Sequence, residues 1–367
     1  MSDSNPQPSR RDLFARRSGT PDEGADQPTE YGPLFHFSAN AMGCEFQVLC
    51  DETGRESLAG CVTDGFSLIA DLEQQLSIFR PSSEMSAINR FAEQAETCDT
   101  QQVVEPTENR LPQLSVDPAL FELLQSAQTI RQATSGVFDI SATPLSRLWK
   151  ECRQGRVVPD QAAIESVLAN VGGQHIQLDA EAKSIGFRRS GLVLDLGGIG
   201  KGYALDRLRE FLVMSNAQNF LIHGGQSSVI GCGSRSIDQG RGTMPWQVGI
   251  SHPLSPGVRL ATISLNDRAV GTSGSGRQSF VFEGKRYGHI IDPRTGWPAD
   301  HFLSVTVLAE QAVQADALAT AIFVAGPDFA EEICEQFGVS AITVGHFDDQ
   351  RLAIDSINLA KEDWTLE

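Results

Sequence analysis

The chain has 367 residues, 40% of them hydrophobic and 21% charged, so a substantial core can be buried and wholesale disorder, coiled coil and collagen are excluded. Acidic residues number 47 and basic ones 29, a net charge of −18, which is the wrong sign for counterion-driven binding to nucleic acid or to an anionic membrane surface. The 7 cysteines (Cys44, Cys50, Cys61, Cys98, Cys152, Cys232, Cys334) are dispersed without a CxxC pair, which argues against a disulfide framework and a thiolate zinc site.

At the start, Ser9-Arg10-Arg11-Asp12-Leu13-Phe14 is similar to a twin-arginine export signal. The segment after it, Ala15 to Glu30, is polar and carries Gly19, Pro21 and Gly24, whereas an export signal needs an apolar run there. The expectation is therefore a cytoplasmic protein, with export through a degenerate signal as the alternative. No stretch approaches 18 consecutive apolar residues, so no transmembrane helix is expected. Residues 1–33 read as a disordered arm, and residues 34–361 as one folded domain.

Phe46, Val48 and Cys50 alternate as one face of a strand. Val62, Phe66, Ile69, Leu72 and Leu76 form a helix stripe. The polar, proline-containing text from 92 to 115 reads as a surface excursion. Asp117 then places an N-cap before Pro118, opening a helix through Leu120, Leu123, Leu124, Ala127 and Ile130. A glycine-rich turn leads into a helix marked by Leu205, Leu208, Phe211 and Leu212. Strands are expected at 220–222, 246–250, 261–265, 303–308 and 341–344, and helices at 316–324 and 328–337, the latter stopped by Gly338. Hairpin-length and helix-length connections are mixed, which favours an α+β fold, and no internal repeat is present.

Five stretches carry more glycine and more fixed polar residues than a scaffold needs. In Leu194 to Asp206, closely spaced glycines at a helix mouth let backbone approach a ligand, the helix start offers N–H groups to an anion, and Lys201 adds a point charge. The alternative is a tight turn with a surface lysine. Asp316 and Thr320 lie four apart on a helix and project from one face, offering hard oxygen ligands suited to Mg²⁺; a solvated Asp with a back-bonded Thr is the competing reading. His289 precedes the turn Asp292-Pro293-Arg294-Thr295-Gly296, where it is a candidate general base or a structural histidine. Ala269 to Gly274 and His223 to Gln226 place small residues at strand ends, where a ring or phosphate could lie against backbone, or where the chain simply turns.

Taken together, the segments AMGCEFQV (41–48), LSIFRPSSEMSAIN (76–89), SGVFDISATPLSRLW (135–149), LDLGGIGKGYALD (194–206), Gly224-Gly225, VGTSGSGRQSF (270–280), GHIIDPRTGWP (288–298) and SVTVLAEQAVQADALAT (304–320) resemble the ApbE-like flavin transferases, the FAD:protein FMN transferase family. The resemblance implies a single unit of mixed and antiparallel sheets with packed helices and an FAD cleft between two subdomains. It implies Mg²⁺-dependent cleavage of FAD, transfer of FMN through a phosphoester bond to a threonine of a target flavoprotein, and release of AMP. Met42, Phe79, Val137, Phe138, Asp139, Asp195, Lys201 and Ile291 match places that contact FAD. Gly198, Asp316 and Thr320 match the metal ligands, and His289 matches the base that deprotonates the acceptor threonine, with Asp292 the next candidate. Phe79 stands where many members have Tyr, Cys44 where Thr is usual, Gly198 and Gly200 where alanine is frequent, Ala319 where some carry a further metal-binding Asp, and Gln226 where an acid is frequent. An FAD pyrophosphatase, with water as acceptor, and a non-catalytic flavin-binding protein are the alternatives.

The composition of the first 33 residues cannot repay the entropy of ordering them. A chain beginning at Leu34 is expected to melt at the same temperature and keep its activity; a clear drop in either would show that the arm docks on the domain or assists catalysis.

Overall fold

The computed structural model describes residues 33–95, 111–237, 242–275, 278–346 and 351–367. The expected arm, apart from its last residue, and the middle of the expected excursion lie outside these residues. Within them, nine helices are α1 (Glu52–Ala59), α2 (Val62–Leu76), α3 (Glu84–Glu93), α4 (Pro118–Ala133), α5 (Thr143–Gly155), α6 (Gln161–Leu168), α7 (Gly200–Met214), α8 (Ala312–Ala325) and α9 (Pro327–Phe337). No helix among the described residues is long and apolar enough to cross a membrane.

The expected α+β class holds. Its frame is an eight-stranded sheet whose strands run, edge to edge, Phe35–Ala41, Cys44–Cys50, Phe220–Gly224, Ser228–Cys232, Arg268–Gly274, Ser304–Ala309, Ser340–His346 and Leu352–Ile357. Neighbours pair antiparallel throughout. Alternation decides the faces: Phe46, Val48 and Cys50 are fully buried against the helices, as are Phe220, Ile222 and Ile230. The opposite face presents Leu221, Val229, Val270 and Leu308 to a second core, which the small sheet Trp246–Ser251, Arg259–Leu265 and Trp364–Leu366 covers. That last strand pairs with Arg259–Leu265, so the fold continues beyond residue 361.

The ends of the expected excursion belong to the fold. Ala92 is fully buried in α3, and Leu114–Ser115 pairs with Ser184–Phe187. Polar composition hid both because each segment contributes few apolar residues. Asp117 caps α4 as its sequence indicates, accepting from the Ala119 N–H at 2.9 Å.

Helix α8 begins at Ala312, four residues before the expected start at Asp316. Its own N-cap, Gln311, makes no side-chain bond. The cap comes instead from Asp206 in α7, whose carboxylate accepts from Ala312 N at 3.0 Å and Val313 N at 2.8 Å. No local reading could find a cap that lies over a hundred residues away.

Burial raises the Asp206 carboxyl from 3.8 to about 6, against the opposing pull of those two N–H groups and of Arg209 and Arg207. Between these values the folded chain keeps a proton that the unfolded chain has released. This group's contribution to stability is therefore full below pH 3.8 and is lost as pH rises through about 6. The stability difference between the native chain and Asp206→Asn, measured from urea midpoints, is expected to shrink across that window and level off above it. A difference independent of pH would contradict this account of the cap.

Candidate active site

Helix α8 is apolar on nearly every side, and Ala315, Ala317, Leu318, Ala319, Ala321, Ile322 and Phe323 are fully buried. Two glycines let it sit this deep. A Cβ on Gly202 of α7 would come within 2.2 Å of the Ala312 carbonyl oxygen, and one on Gly271 within 2.5 Å of Ala315 C and Asp316 N. Both clashes are with backbone, so neither position can take a side chain without moving the helix. Part of the glycine-rich turn thus serves helix packing, whereas Gly197 and Gly198 are exposed and border the cleft.

The one carboxylate on this buried helix is Asp316, 7% exposed. It accepts from the Ser228 hydroxyl at 2.7 and 2.9 Å and from Gly202 N at 2.9 Å, and the Lys201 ammonium stands 3.9 Å away. Burial pushes its carboxyl above the ordinary value, while Lys201 pulls it down. Thr320, one turn on, shares a hydrogen bond of 2.9 Å with Ser273. The same Asp316 bond uses the N–H of Gly202, and the Gly200 N–H goes to Leu196 O at 2.6 Å. The helix mouth therefore has fewer free donors than its sequence suggests.

These groups line one cavity of about 500 Å³. Val137, Phe138, Asp139, Asp195, Gly198, Lys201, His289, Ile291, Asp316 and Thr320 all border it, so ten of the residues singled out in the sequence converge from four segments. Met42 and Phe79 line an adjoining cavity of about 510 Å³, which shares Asp195, Gly197 and Lys201 with the first. Met42 occupies a two-residue hairpin turn with Gly43, at φ 51 and 72, and Phe79 is 84% exposed.

Three of the residues singled out in the sequence are held by other parts of the fold. Phe138 is 4% exposed, its ring edge packed under Gly198, and forms a wall of the first cavity. The Asp139 carboxylate is spent internally, on Arg131 Nε and Gly173 N at 2.8 Å and on the backbone N–H and hydroxyl of Ser141. Asp292 does not border the cavity, and Arg294 holds its carboxylate through Nε at 3.0 Å and Nη2 at 2.8 Å. It is the keystone of its turn, accepting at its carbonyl from Gly296 N at 2.8 Å.

That turn aims His289. Trp149 of α5 stacks on Tyr287 at 5.5 Å and donates Nε1–H to the Gly296 carbonyl at 2.7 Å, tying both flanks of the loop to one aromatic cluster. The imidazole faces the cleft, where it is open to solvent yet crowded by protein. Desolvation, and secondarily the Arg153 charge, push its pKa below 6.5, so it is neutral and can accept a proton. Burial pushes the Asp195 carboxyl up, partly offset by the Gly197 N–H and the Arg147 charge.

His223 and Gln226 are not brought here; His223 meets Gln47 at 3.1 Å and borders a different cavity, on the second-core face. Thr272, Ser273 and Gly274, from the stretch Ala269 to Gly274, do border the cavity, whereas sequence reading missed Ser228, which orients Asp316, along with Ser227 and Gln278 in the lining. Ser227 and Ser228 directly follow the Gly224-Gly225-Gln226 turn, which was the available signal. Among the described residues no three of His, Cys, Asp and Glu gather at one point. Asp316 and Thr320 bring one carboxylate and one hydroxyl to the cavity, oxygen groups of the hard type.

The ApbE family model matches residues 42–343. The FAD:protein FMN transferase of Klebsiella pneumoniae (strain 342) is 31% identical over 293 residues, covering 79% of this chain and 82% of that protein. That of Haemophilus influenzae is 30% identical over 278 residues, 74% of each. Among solved structures, the ApbE protein of Thermotoga maritima superposes with a TM-score of 0.71 at 27% identity, covering 89% of this chain and 97% of that one. The apo flavinyl transferase ApbE of Pseudomonas stutzeri gives 0.71 at 25% identity, covering 89% and 95%.

Proposed function

The chain belongs to the ApbE family, and we propose that it cleaves FAD and transfers the FMN moiety to a threonine of a target flavoprotein, releasing AMP. The observation that carries this reading is the convergence of Lys201, Asp316, Thr320 and His289 on a single cavity. Phosphoryl transfer asks little covalent chemistry of a protein; it needs phosphates held, charge offset and a hydroxyl oriented.

The diphosphate of FAD lies at the junction of the two cavities, beside Gly197, Gly198 and Lys201, with Asp195 near. Asp316, Thr320 and the Gly198 carbonyl would hold Mg²⁺, and a buried carboxylate whose one ion-pair partner among the described residues, Lys201, stands 3.9 Å away suits that charge. Bound there, the cation supplies charge neutralisation at the phosphates. Lys201 holds a phosphate oxygen. His289 takes the proton from the acceptor hydroxyl as its oxygen bonds to the FMN phosphorus, and the bond from that phosphorus to the AMP phosphate oxygen breaks. Met42 and Phe79, with Leu76 and Ile78 beside them, form an apolar slot for the flavin ring. The acceptor is a flavoprotein domain presenting a threonine in a short flavinylation motif close to D-G-x-[ST]-x-A-T.

Incubation with FAD, MgCl₂ and such an acceptor is expected to add the mass of FMN to the acceptor and to release AMP. Free FMN formed at the same rate with or without acceptor would instead identify a hydrolase. His289→Ala is expected to cut transfer by about 10²–10⁴-fold with FAD binding retained. Asp316→Ala should fall steeply and recover in part at high Mg²⁺. The acid limb of the native rate profile should lie below pH 6.5, since His289 is held neutral and loses function only on protonation. Normal transfer by His289→Ala would make the histidine a structural residue of its loop.

A further inference from the structure

His289 is exposed at the lip of the first cavity, so an acceptor protein can bring a threonine to it from outside without entering. A specific protein interface covers about 800 Å² of each partner, far more than one loop at the lip can supply. The rest of that contact must fall on the surface around the cavity, and α5 flanks it. Ser146 borders the cavity; Lys150 and Arg153 follow it at i+4 and i+7, so the three lie along one ridge of the helix. Arg153 Nη1 is 3.4 Å from the Gln278 carbonyl, and Gln278 borders the same cavity, which brings the far end of the ridge back to the lip. Arg153 is also the charge that acts on His289, and Arg147, beside the ridge, the charge that acts on Asp195. The helix buries Leu145, Trp149 and Cys152 and turns Arg147 and Lys150 to solvent.

These cations are not neutralised. Arg147, Lys150 and Arg153 have no ion-pair partner among the described residues, although acidic residues outnumber basic ones 47 to 29 in the chain. Glu151 is the one acidic residue of α5. We infer that this outer side of α5 is the docking surface for an acidic patch on the acceptor domain, set so that the acceptor threonine meets His289. The inference rests on the flavin-transfer reading above and adds how the protein substrate is recognised. Charge complementarity selects the partner's sign, and the negative surplus of the rest of the chain repels the same patch elsewhere, so the cationic row orients the acceptor as well as attracting it. Lys150 touches no reacting atom in this arrangement; it is a recognition residue for the macromolecular substrate.

The test is steady-state flavin transfer by the full chain at saturating FAD and MgCl₂, with the folded acceptor domain as the varied substrate. Lys150→Glu is expected to raise the KM for the acceptor by about threefold or more, with kcat and FAD affinity native, and Lys150→Arg to behave as the native chain. Lys150 is exposed, so neither substitution threatens the fold. For the native chain kcat/KM should fall as NaCl is raised to about 0.2 M, and Lys150→Glu should flatten that fall. A short peptide carrying the acceptor threonine, too small to reach the ridge, should be modified equally by the native chain and by Lys150→Glu. A native acceptor KM in Lys150→Glu, or an equal loss with the peptide, would overturn the docking surface while leaving flavin transfer standing. No transfer by the native chain with FAD bound would overturn the transfer reading itself, and the surface with it.

Discussion

A carboxylate placed on a helix that is otherwise wholly apolar is the constraint on which the rest of the architecture depends. Burying a charge without partners costs several kcal/mol, and a chain that does so must surround it with compensating groups. For Asp316 these are the Ser228 hydroxyl, the Gly202 N–H and the Lys201 ammonium, drawn from a strand and from the mouth of α7. Each can reach Asp316 only because α8 lies almost in contact with the backbone of its neighbours. Gly202 and Gly271 are what allow that approach. Asp206 fixes where the helix begins, and so fixes which residue arrives opposite Lys201.

The cleft follows from this placement. One wall is the sheet strand that ends in Thr272, Ser273 and Gly274, with α8 behind it; the other is α5 and the loop it holds through Trp149. The two sides are built differently. Around Asp316 the polar groups hydrogen-bond one another. At the α5 mouth and at Phe79 they do not: the buried Thr143 hydroxyl has no hydrogen-bond partner among the described residues and one ring is 84% exposed.

Much of this was legible in the sequence, and the parts that were not share a cause. Residues whose role is set by neighbours along the chain were readable: the strand at Phe46, Val48 and Cys50, the cap at Asp117, and the pair Asp316 and Thr320 on one helix face. The family resemblance then joined segments that spacing alone could not. What stayed hidden was set by partners distant in sequence. Asp206 reads as a solvated helix residue until Ala312 is beside it, and Ser228 as an ordinary strand residue until Asp316 is. Asp139 and Asp292 matched site motifs, yet Arg131 and Arg294 claim their carboxylates.

The central claim, which rests on the proposed Mg²⁺ site, is that the depth of α8 sets how tightly Asp316 and Thr320 would hold that cation. Gly271→Ala tests it most directly, because the added methyl meets only backbone at Ala315 and Asp316 and touches no ligand donor. The measurement is the Mg²⁺ concentration giving half-maximal flavin transfer, taken on protein shown by circular dichroism to be folded. The account predicts a midpoint raised about tenfold or more, since overpacking of about 1–3 kcal/mol displaces the carboxylate. A folded Gly271→Ala protein with the native Mg²⁺ midpoint would contradict it.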